Sequence, residues 1–219
     1  MELKDKVIAF LGDSITAGSG ASAPEFVYHQ VLKRNCGLKD ALNFGIGGTR
    51  FARQQNPDGA YPIADANDFL TRIDKIPEDV DAVVVFGGTN DFGHGDAPFG
   101  VFGDTTADTF YGACYELMET LINRYPEIPI VFITPLHRLN EDNVVWRGVA
   151  KNLSLCDYVC AIREVAEYFS IPVLDLYAES GMQPNVEVQN KAYFADGVHP
   201  NDNGYKKIAD KLEKFLKAL

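Results

Sequence analysis

Short, almost continuously apolar segments alternate with longer amphipathic segments along the chain. Five segments have the length and β-branched character of strands: Val7–Leu11, Ala41–Phe44, Ala82–Phe86, Ile130–Thr134 and Ile171–Asp175. All but the second are apolar at nearly every position, which is typical of strands covered on both faces in a parallel sheet. The pattern therefore predicts a buried parallel sheet.

Apolar residues recur at helical spacing between these strands. Clear stripes predict three helices, at Phe110–Tyr125, Tyr158–Phe169 and Tyr205–Leu216. Pro126 ends the first stripe, and Asn201 or Asp202 is expected to start the third helix. Weaker patterns predict further helices around Glu25–Cys36 and Asp65–Ile76. This alternation indicates an open, doubly wound α/β sheet.

Composition and charge narrow the class of protein. The chain has 219 residues, 46% of them hydrophobic and 23% charged, so we expect one globular domain over residues 1–219. Twenty Lys and Arg against 31 Asp and Glu give a net charge of −11, which argues against nucleic acid and anionic lipid surfaces as partners. No apolar run approaches the roughly 20 residues of a spanning helix, so integral membrane association is not expected.

Two further features bear on location and metal binding. The N-terminal segment Met1–Lys6 lacks the apolar stretch and small-residue cleavage site of a secretory signal, so we expect a cytoplasmic protein. The four cysteines, Cys36, Cys114, Cys156 and Cys160, lack metal-knuckle spacing. We therefore expect reduced thiols and no metal site.

Candidate chemistry collects where the predicted strands end. In an open α/β sheet, ligands bind beyond the carboxyl ends of the strands, where the following loops converge. Four segments that follow strands carry polar or glycine-rich sequences: Gly12–Thr16, Asn43–Thr49, Gly87–Asp91 and Asp196–Pro200. Together they bring a hydroxyl, a glycine turn, a carboxamide and an Asp/His pair to one edge of the sheet.

These groups are the components of acyl transfer through a serine. The Ser14 hydroxyl is a weak nucleophile until a base such as His199 takes its proton. Asp196 can accept from the other ring nitrogen and fix the tautomer of the imidazole. The backbone N–H groups of Ser14 and Gly48 and the side-chain amide of Asn90 can donate to the oxyanion that forms.

Each motif taken alone also has a purely structural interpretation. The segment around Ser14 could be an ordinary turn, and the glycines near Gly48 could serve only to allow a positive φ. Asn90 could cap a helix, and Asp196 could form an Asx-turn ahead of His199. The conjunction of the four motifs, in this order along one edge, favours catalysis.

With these motifs in place, the sequence resembles the SGNH hydrolases, also called the GDSL esterase/lipase family. The nucleophile block is matched by Ser14, the second block by Gly48, the third by Asn90 and the last by Asp196 and His199. The blocks span nearly the whole chain. Ile15 stands where the family name has Leu, and Gly47 remains an alternative to Gly48 as the oxyanion donor.

The resemblance implies a fold and an activity. The implied fold is a three-layer α/β/α, flavodoxin-like domain with a five-stranded parallel sheet. The implied enzyme is a serine esterase that needs no cofactor and hydrolyses carboxylic esters of small molecules, with short-chain or O-acetyl groups on a carbohydrate favoured. A lysophospholipase or lipase activity, acyl transfer to a sugar hydroxyl, and a non-catalytic carbohydrate-binding module remain alternatives, and the oligomeric state is open.

Two other enzyme classes lack their sequence signatures. The segment around Ser14 is not Gly-x-Ser-x-Gly, so the nucleophile elbow of the α/β-hydrolases is not indicated. The segment 45–50 has Arg50 where a dinucleotide-binding fingerprint needs its third glycine, which argues against an oxidoreductase.

Residues beside the blocks are candidates for substrate binding. We expect Asp13, His94 and Arg138 to contact the substrate, because each falls in a segment that follows a strand. Packing or loop ordering is the structural alternative for these side chains. Phe92–Asp104 and the segment around Trp146 are predicted loops that could wall the pocket.

Overall fold

A single parallel sheet forms the centre of the computed structural model, which describes residues 1–55, 68–142, 144–146 and 149–219. Its strands are β1 Val7–Gly12, β2 Asp40–Gly45, β3 Ala82–Phe86, β4 Ile130–Ile133 and β7 Val173–Leu174, in the order β2-β1-β3-β4-β7. All four pairings in this sheet are parallel. The short strands β5 Val144–Trp146 and β6 Val149–Lys151 form a separate antiparallel hairpin.

Helices cover both faces of the sheet. The α-helices are α1 Ser14–Ala17, α2 Tyr28–Cys36, α3 Thr89–His94, α4 Phe110–Arg124, α5 Leu155–Tyr168, α6 Leu176–Glu179, α7 Glu187–Tyr193 and α8 Asp202–Ala218. On one face the sheet packs with α4 and α5, and on the other with α2 and α8. Successive residues of β1 alternate between the two cores: Ala9 and Leu11 lie in the first, Ile8 and Phe10 in the second. This confirms the predicted three-layer, five-stranded, flavodoxin-like α/β fold.

The register of the strands sets the position of the loops. Gly12 at the end of β1 is level with Gly45 at the end of β2 and with Phe86 at the end of β3. The chain passes from β1 outward to β2 and then returns to β3 on the other side of β1. A crevice therefore opens at the carboxyl ends of β1 and β3, the usual ligand position in such sheets.

Several predicted boundaries were wrong. The fifth predicted strand, Ile171–Asp175, shrinks to two residues, because Pro172 has no N–H for a ladder and Asp175 caps α6 by accepting from the Ala178 N–H. The predicted helix Glu25–Cys36 is interrupted by extended Val27, which separates a 3₁₀ turn at Pro24–Phe26 from α2.

The predicted helix Asp65–Ile76 is a 3₁₀ helix at Leu70–Lys75, and the first residues of that prediction lie outside the described residues. The segment around Trp146, predicted as a loop, contributes the strands β5 and β6 instead. Asn201 starts α8 as expected, because its side chain accepts from the N–H groups of Asn203 and Gly204. Within the described residues, no helix has the length and apolar character to cross a membrane.

Candidate active site

Ser14 opens a single helical turn directly beyond the end of β1. Asp13 is the N-cap of α1, and its Oδ1 accepts from the Ile15 N–H at 2.9 Å. A Cβ at Gly12 would lie 1.9 Å from Thr16 Oγ1, so a residue without a side chain is required where the strand turns into the helix. The serine is thereby held at the first position of a helix, at the edge of the sheet.

The loop before α8 presents His199 to this serine. Nε2 of His199 lies 2.9 Å from Ser14 Oγ, although the two residues are 185 positions apart. Nδ1 of the same ring lies 2.7 Å from Asp196 Oδ2. A carboxylate accepts, so Nδ1 carries the proton and Nε2 is the acceptor that faces the serine hydroxyl.

The backbone of this loop also holds Asp196. Its Oδ1 accepts from the N–H of Val198 at 2.9 Å and from the N–H of His199 at 2.7 Å. Partial burial raises the pKa of Asp196, but the hydrogen bonds from the His199 N–H, the His199 ring and the Val198 N–H outweigh burial and place the pKa below its ordinary value. The carboxyl group therefore stays ionised beside the imidazole.

The glycine turn after β2 lies beside the serine. The Ile46 N–H donates to Gly12 O at 3.1 Å, and the Thr49 N–H closes a four-residue turn onto Ile46 O at 3.4 Å. Gly48 occupies the third position of this turn with φ 75°, which fits a type II turn and disfavours any side chain. A Cβ at Gly47 would lie 3.7 Å from Ser14 Cβ, so the turn runs alongside the nucleophile.

Asn90 reaches the same turn from the end of β3. It belongs to α3, and its side-chain Nδ2 donates to Thr49 O at 3.0 Å. An amide nitrogen has two hydrogens, so this bond leaves one for another acceptor. The Ser14 N–H is likewise at the first position of a helix, where no intrahelical acceptor exists. Ser14 and Asn90 thus both lie beside the glycine turn.

A buried arginine that the sequence did not single out joins the strand ends beneath this place. Arg72 is 1% exposed, and its guanidinium donates to Gly12 O at 2.9 Å, to Thr49 Oγ1 at 3.0 Å and to Phe44 O. Burial lowers the pKa of Arg72 to about 10, opposed by the charges of Asp13 and Asp68, so the side chain remains a cation at neutral pH. The residues around Arg72 in the sequence do not distinguish it from an arginine on the surface, so the sequence could not identify it as a buried residue of the site.

The three predicted substrate contacts have other partners in the structure. Asp13 is 1% exposed and its carboxylate caps α1, so it has almost no surface to offer a substrate. Arg138 donates through Nη1 to the backbone oxygen and the hydroxyl of Thr89, both at 3.1 Å, and lies over the ring of Phe92. His94 is bonded to Asn90 and Arg50. These bonds fit the ordering alternative for all three side chains, and their contact with substrate stays a prediction.

The aromatic residues of the predicted wall Phe92–Asp104 are also engaged elsewhere. Phe92 is fully buried, and Phe99 packs against Tyr158 of α5 with ring centroids 4.9 Å apart. Phe102 is half exposed and contacts Tyr168 at the far end of the same helix. These contacts favour the packing interpretation over a pocket wall. Among the described residues, no group of three or more His, Cys, Asp or Glu side chains is arranged to hold a metal ion.

Comparison with known proteins identifies a family and a shared fold. The sequence matches the model of the GDSL-like lipase/acylhydrolase family over residues 10–207. A solved structure of a protein from Lactobacillus plantarum is similar at 33% identity and a TM-score of 0.84, with 99% of this chain and 98% of that chain covered. No curated protein matches the sequence.

Two more distant structures share the fold. A lipase/acylhydrolase from Enterococcus faecalis has 24% identity and a TM-score of 0.66, with 97% of this chain and 96% of that chain covered. A two-domain esterase active on acetylated mannans, co-crystallized with mannopentaose, has 20% identity and a TM-score of 0.60. That comparison covers 97% of this chain and 49% of the esterase.

Proposed function

Because the chain belongs to the GDSL-like lipase/acylhydrolase family, we propose that it is a serine esterase in which Ser14 is the nucleophile, His199 the general base and Asp196 the residue that orients His199. The observation that carries this proposal is the continuous chain of hydrogen bonds, 2.9 Å from Ser14 Oγ to Nε2 and 2.7 Å from Nδ1 to the carboxylate of Asp196. An acceptor nitrogen within hydrogen-bond reach of the hydroxyl is the geometric requirement for this chemistry.

The reaction follows from the protonation states. Ser14 Oγ attacks the ester carbonyl carbon while its proton passes to Nε2 of His199. The imidazolium is stabilised by ionised Asp196 and returns the proton to the departing alkoxide, which leaves an acyl-serine. Water then enters, gives one proton to His199 and attacks the carbonyl carbon of the acyl-serine. His199 returns that proton to Ser14 Oγ as the acid leaves, which regenerates the serine.

The oxyanion of each tetrahedral intermediate is assigned to three donors. These are the backbone N–H of Ser14, the backbone N–H of Gly48 and the second Nδ2 hydrogen of Asn90. Support comes from the position of Ser14 at a helix start, from the turn at Gly48 and from the 3.0 Å bond that places the Asn90 amide against that turn. Loss of one such donor typically lowers kcat by about 10²- to 10³-fold.

The proposed substrates are esters of short acyl groups, including O-acetyl groups on carbohydrates or other small molecules. The structural likeness to an esterase that acts on acetylated mannans supports this class. Long-chain lipid esters are the competing substrate class.

The test is pre-steady-state release of p-nitrophenol from p-nitrophenyl acetate. We expect a burst equal to the enzyme concentration, which is lost in Ser14→Ala and kept in Ser19→Ala, a matched change at an exposed serine five positions along the chain. A series of esters from acetate to palmitate, together with acetylated manno-oligosaccharides, then ranks acyl length. Added alcohol acceptors separate hydrolysis from acyl transfer. Sugar binding without any burst would instead support a non-catalytic module.

A further inference from the structure

Three side chains form a line of hydrogen bonds that ends on the proposed oxyanion donor. Arg50 Nη1 lies 3.0 Å from His94 Nδ1, and His94 Nε2 lies 3.1 Å from Asn90 Oδ1. The same Asn90 amide donates through Nδ2 to Thr49 O at 3.0 Å. Asn90 and His94 are four residues apart in α3, so they face the same side of the helix.

The chemistry of the donors fixes the direction of every bond in this line. A guanidinium only donates, so His94 Nδ1 must be an unprotonated acceptor. The ring hydrogen is then on Nε2, and it is donated to Asn90 Oδ1. A flipped Asn90 amide would place its NH₂ against the His94 N–H and its oxygen against Thr49 O, which are two repulsive contacts. The amide therefore has one orientation.

The far end of the line is anchored in the fold. Arg50 is 5% exposed, pairs through its backbone with Asp68, and accepts the Phe69 N–H at its carbonyl oxygen at 3.1 Å. Asn90 itself is 8% exposed. Asn90 is bonded at both ends of its amide, to buried Thr49 and to half-buried His94, so it loses the rotamer freedom that a lone asparagine has.

We propose that His94, backed by Arg50, is a positioning residue that keeps the Asn90 amide turned with Nδ2 toward the oxyanion. This inference rests on the proposed function, because Asn90 is assigned there as an oxyanion donor. In this proposal His94 acts through its bond to Asn90 and not by touching the reacting atoms. The ordering of Asn90 before the reaction is what preorganised stabilisation of a developing charge requires.

A set of four variants tests the relay through kcat and KM. Gln at position 94 has an amide N–H that can replace the Nε2 donor, whereas Phe keeps the ring shape and has no donor. We expect His94→Phe to lower kcat about 10- to 100-fold with KM unchanged, and His94→Gln to stay within about threefold of wild type. Asn90→Ala and the double variant Asn90→Ala/His94→Phe should have the same kcat, because the effect of His94 passes through Asn90.

Three outcomes would overturn the inference. The first is an unchanged kcat in His94→Phe. The second is that His94→Phe lowers kcat by the same factor in Asn90→Ala as in wild type. The third is that His94→Phe raises KM and leaves kcat unchanged. The last outcome would return His94 to the role of a substrate contact. Melting curves of every variant show whether a lower kcat comes from unfolded protein. His94→Gln and His94→Phe are therefore compared at a temperature where both are equally folded.

A readout without substrate keeps the inference separate from the proposed function. In ¹⁵N-labelled wild type, His94 should show a protonated Nε2 and an unprotonated Nδ1, and the Asn90 side-chain amide signals should shift in His94→Phe but not in His94→Gln. A protonated Nδ1, or Asn90 signals that ignore both changes, would overturn the relay. If the relay is seen by NMR and no ester is hydrolysed, the proposed function fails and the positioning contact stands.

Discussion

Two buried ionisable side chains near the nucleophile should give opposite pH dependences of stability. His29 is 2% exposed and lies beside the rings of Phe10 and Tyr28, with Nε2 3.1 Å from Thr16 O. Burial lowers the pKa of His29 to about 4, opposed by the bond to Thr16 O. Burial raises the pKa of Asp13 to about 6, opposed by the Ile15 N–H and by nearby cations.

The signs follow from which state binds more protons. Between pH 6.5 and about 4 the unfolded chain protonates His29 and the folded chain does not, so stability falls as the pH falls through this window. Between pH 3.8 and about 6 the folded chain keeps Asp13 protonated and the unfolded chain does not, so stability falls as the pH rises. Each difference in pKa corresponds to about 3 kcal/mol of unfolding free energy. The two contributions oppose each other in wild type, so single variants are needed to separate them.

Urea unfolding from pH 4 to pH 7 measures both contributions. His29→Gln keeps a donor for Thr16 O without a titrating group, and it should gain about 3 kcal/mol relative to wild type as the pH falls from 7 to 4. Asp13→Asn keeps an acceptor for the Ile15 N–H, and it should gain about as much relative to wild type as the pH rises across the same range. Stability differences that stay constant with pH would show that burial does not shift these groups, and the reasoning would be refuted.

Three further changes probe the site. Asp196→Asn should lower kcat about a thousandfold or more while leaving the melting temperature near wild type, because the amide no longer fixes the imidazole tautomer; an unchanged kcat would contradict its assigned role. Gly48→Ala should cost about 1–2 kcal/mol of unfolding free energy from its positive φ and also lower kcat, whereas Gly181→Ala, another positive-φ position, should affect stability without changing kcat. Arg72→Met should lower unfolding free energy by about 3 kcal/mol, measured in urea, since it removes the guanidinium donor from the Gly12 and Phe44 carbonyl oxygens and from Thr49.

The fold was largely predictable because its signals are local. A strand buried on both faces, such as Ala82–Phe86, is apolar at every position, and a helix buried on one face, such as the one predicted at Phe110–Tyr125, has an apolar stripe. The boundaries of elements were predicted wrongly where contacts with other parts of the fold decide the backbone conformation. Extended Val27 splits a stripe that reads as one helix, and the single-turn helix that Asp13 caps at the end of β1 is too short to show a period.

The sequence was enough to name the candidate residues of the site, but it predicted only some of the hydrogen bonds between them. Asp196 and His199 are three residues apart, so their contact follows from the sequence, but the contact of His199 with Ser14 spans 185 positions and depends on the order of the strands. The partners of His94 could not be predicted, because which ring nitrogen meets Arg50 is decided by packing between distant segments. A substrate contact was expected for His94 because it lies in a segment that follows a strand.

One backbone oxygen links the strand that carries the nucleophile to the glycine turn. The carbonyl of Gly12, the last residue of β1, accepts from the Ile46 N–H at 3.1 Å and from Arg72 at 2.9 Å. Ile46 begins the turn that carries Gly48, and Arg72 also holds Thr49 at the end of that turn, 3.0 Å from its hydroxyl. Both lone pairs of the carbonyl are therefore used to tie the turn to the strand that delivers Ser14. A displacement of β1 would move the turn with it, so the distance between the attacking oxygen and the proposed oxyanion donors depends on these buried bonds rather than on the exposed loops above them.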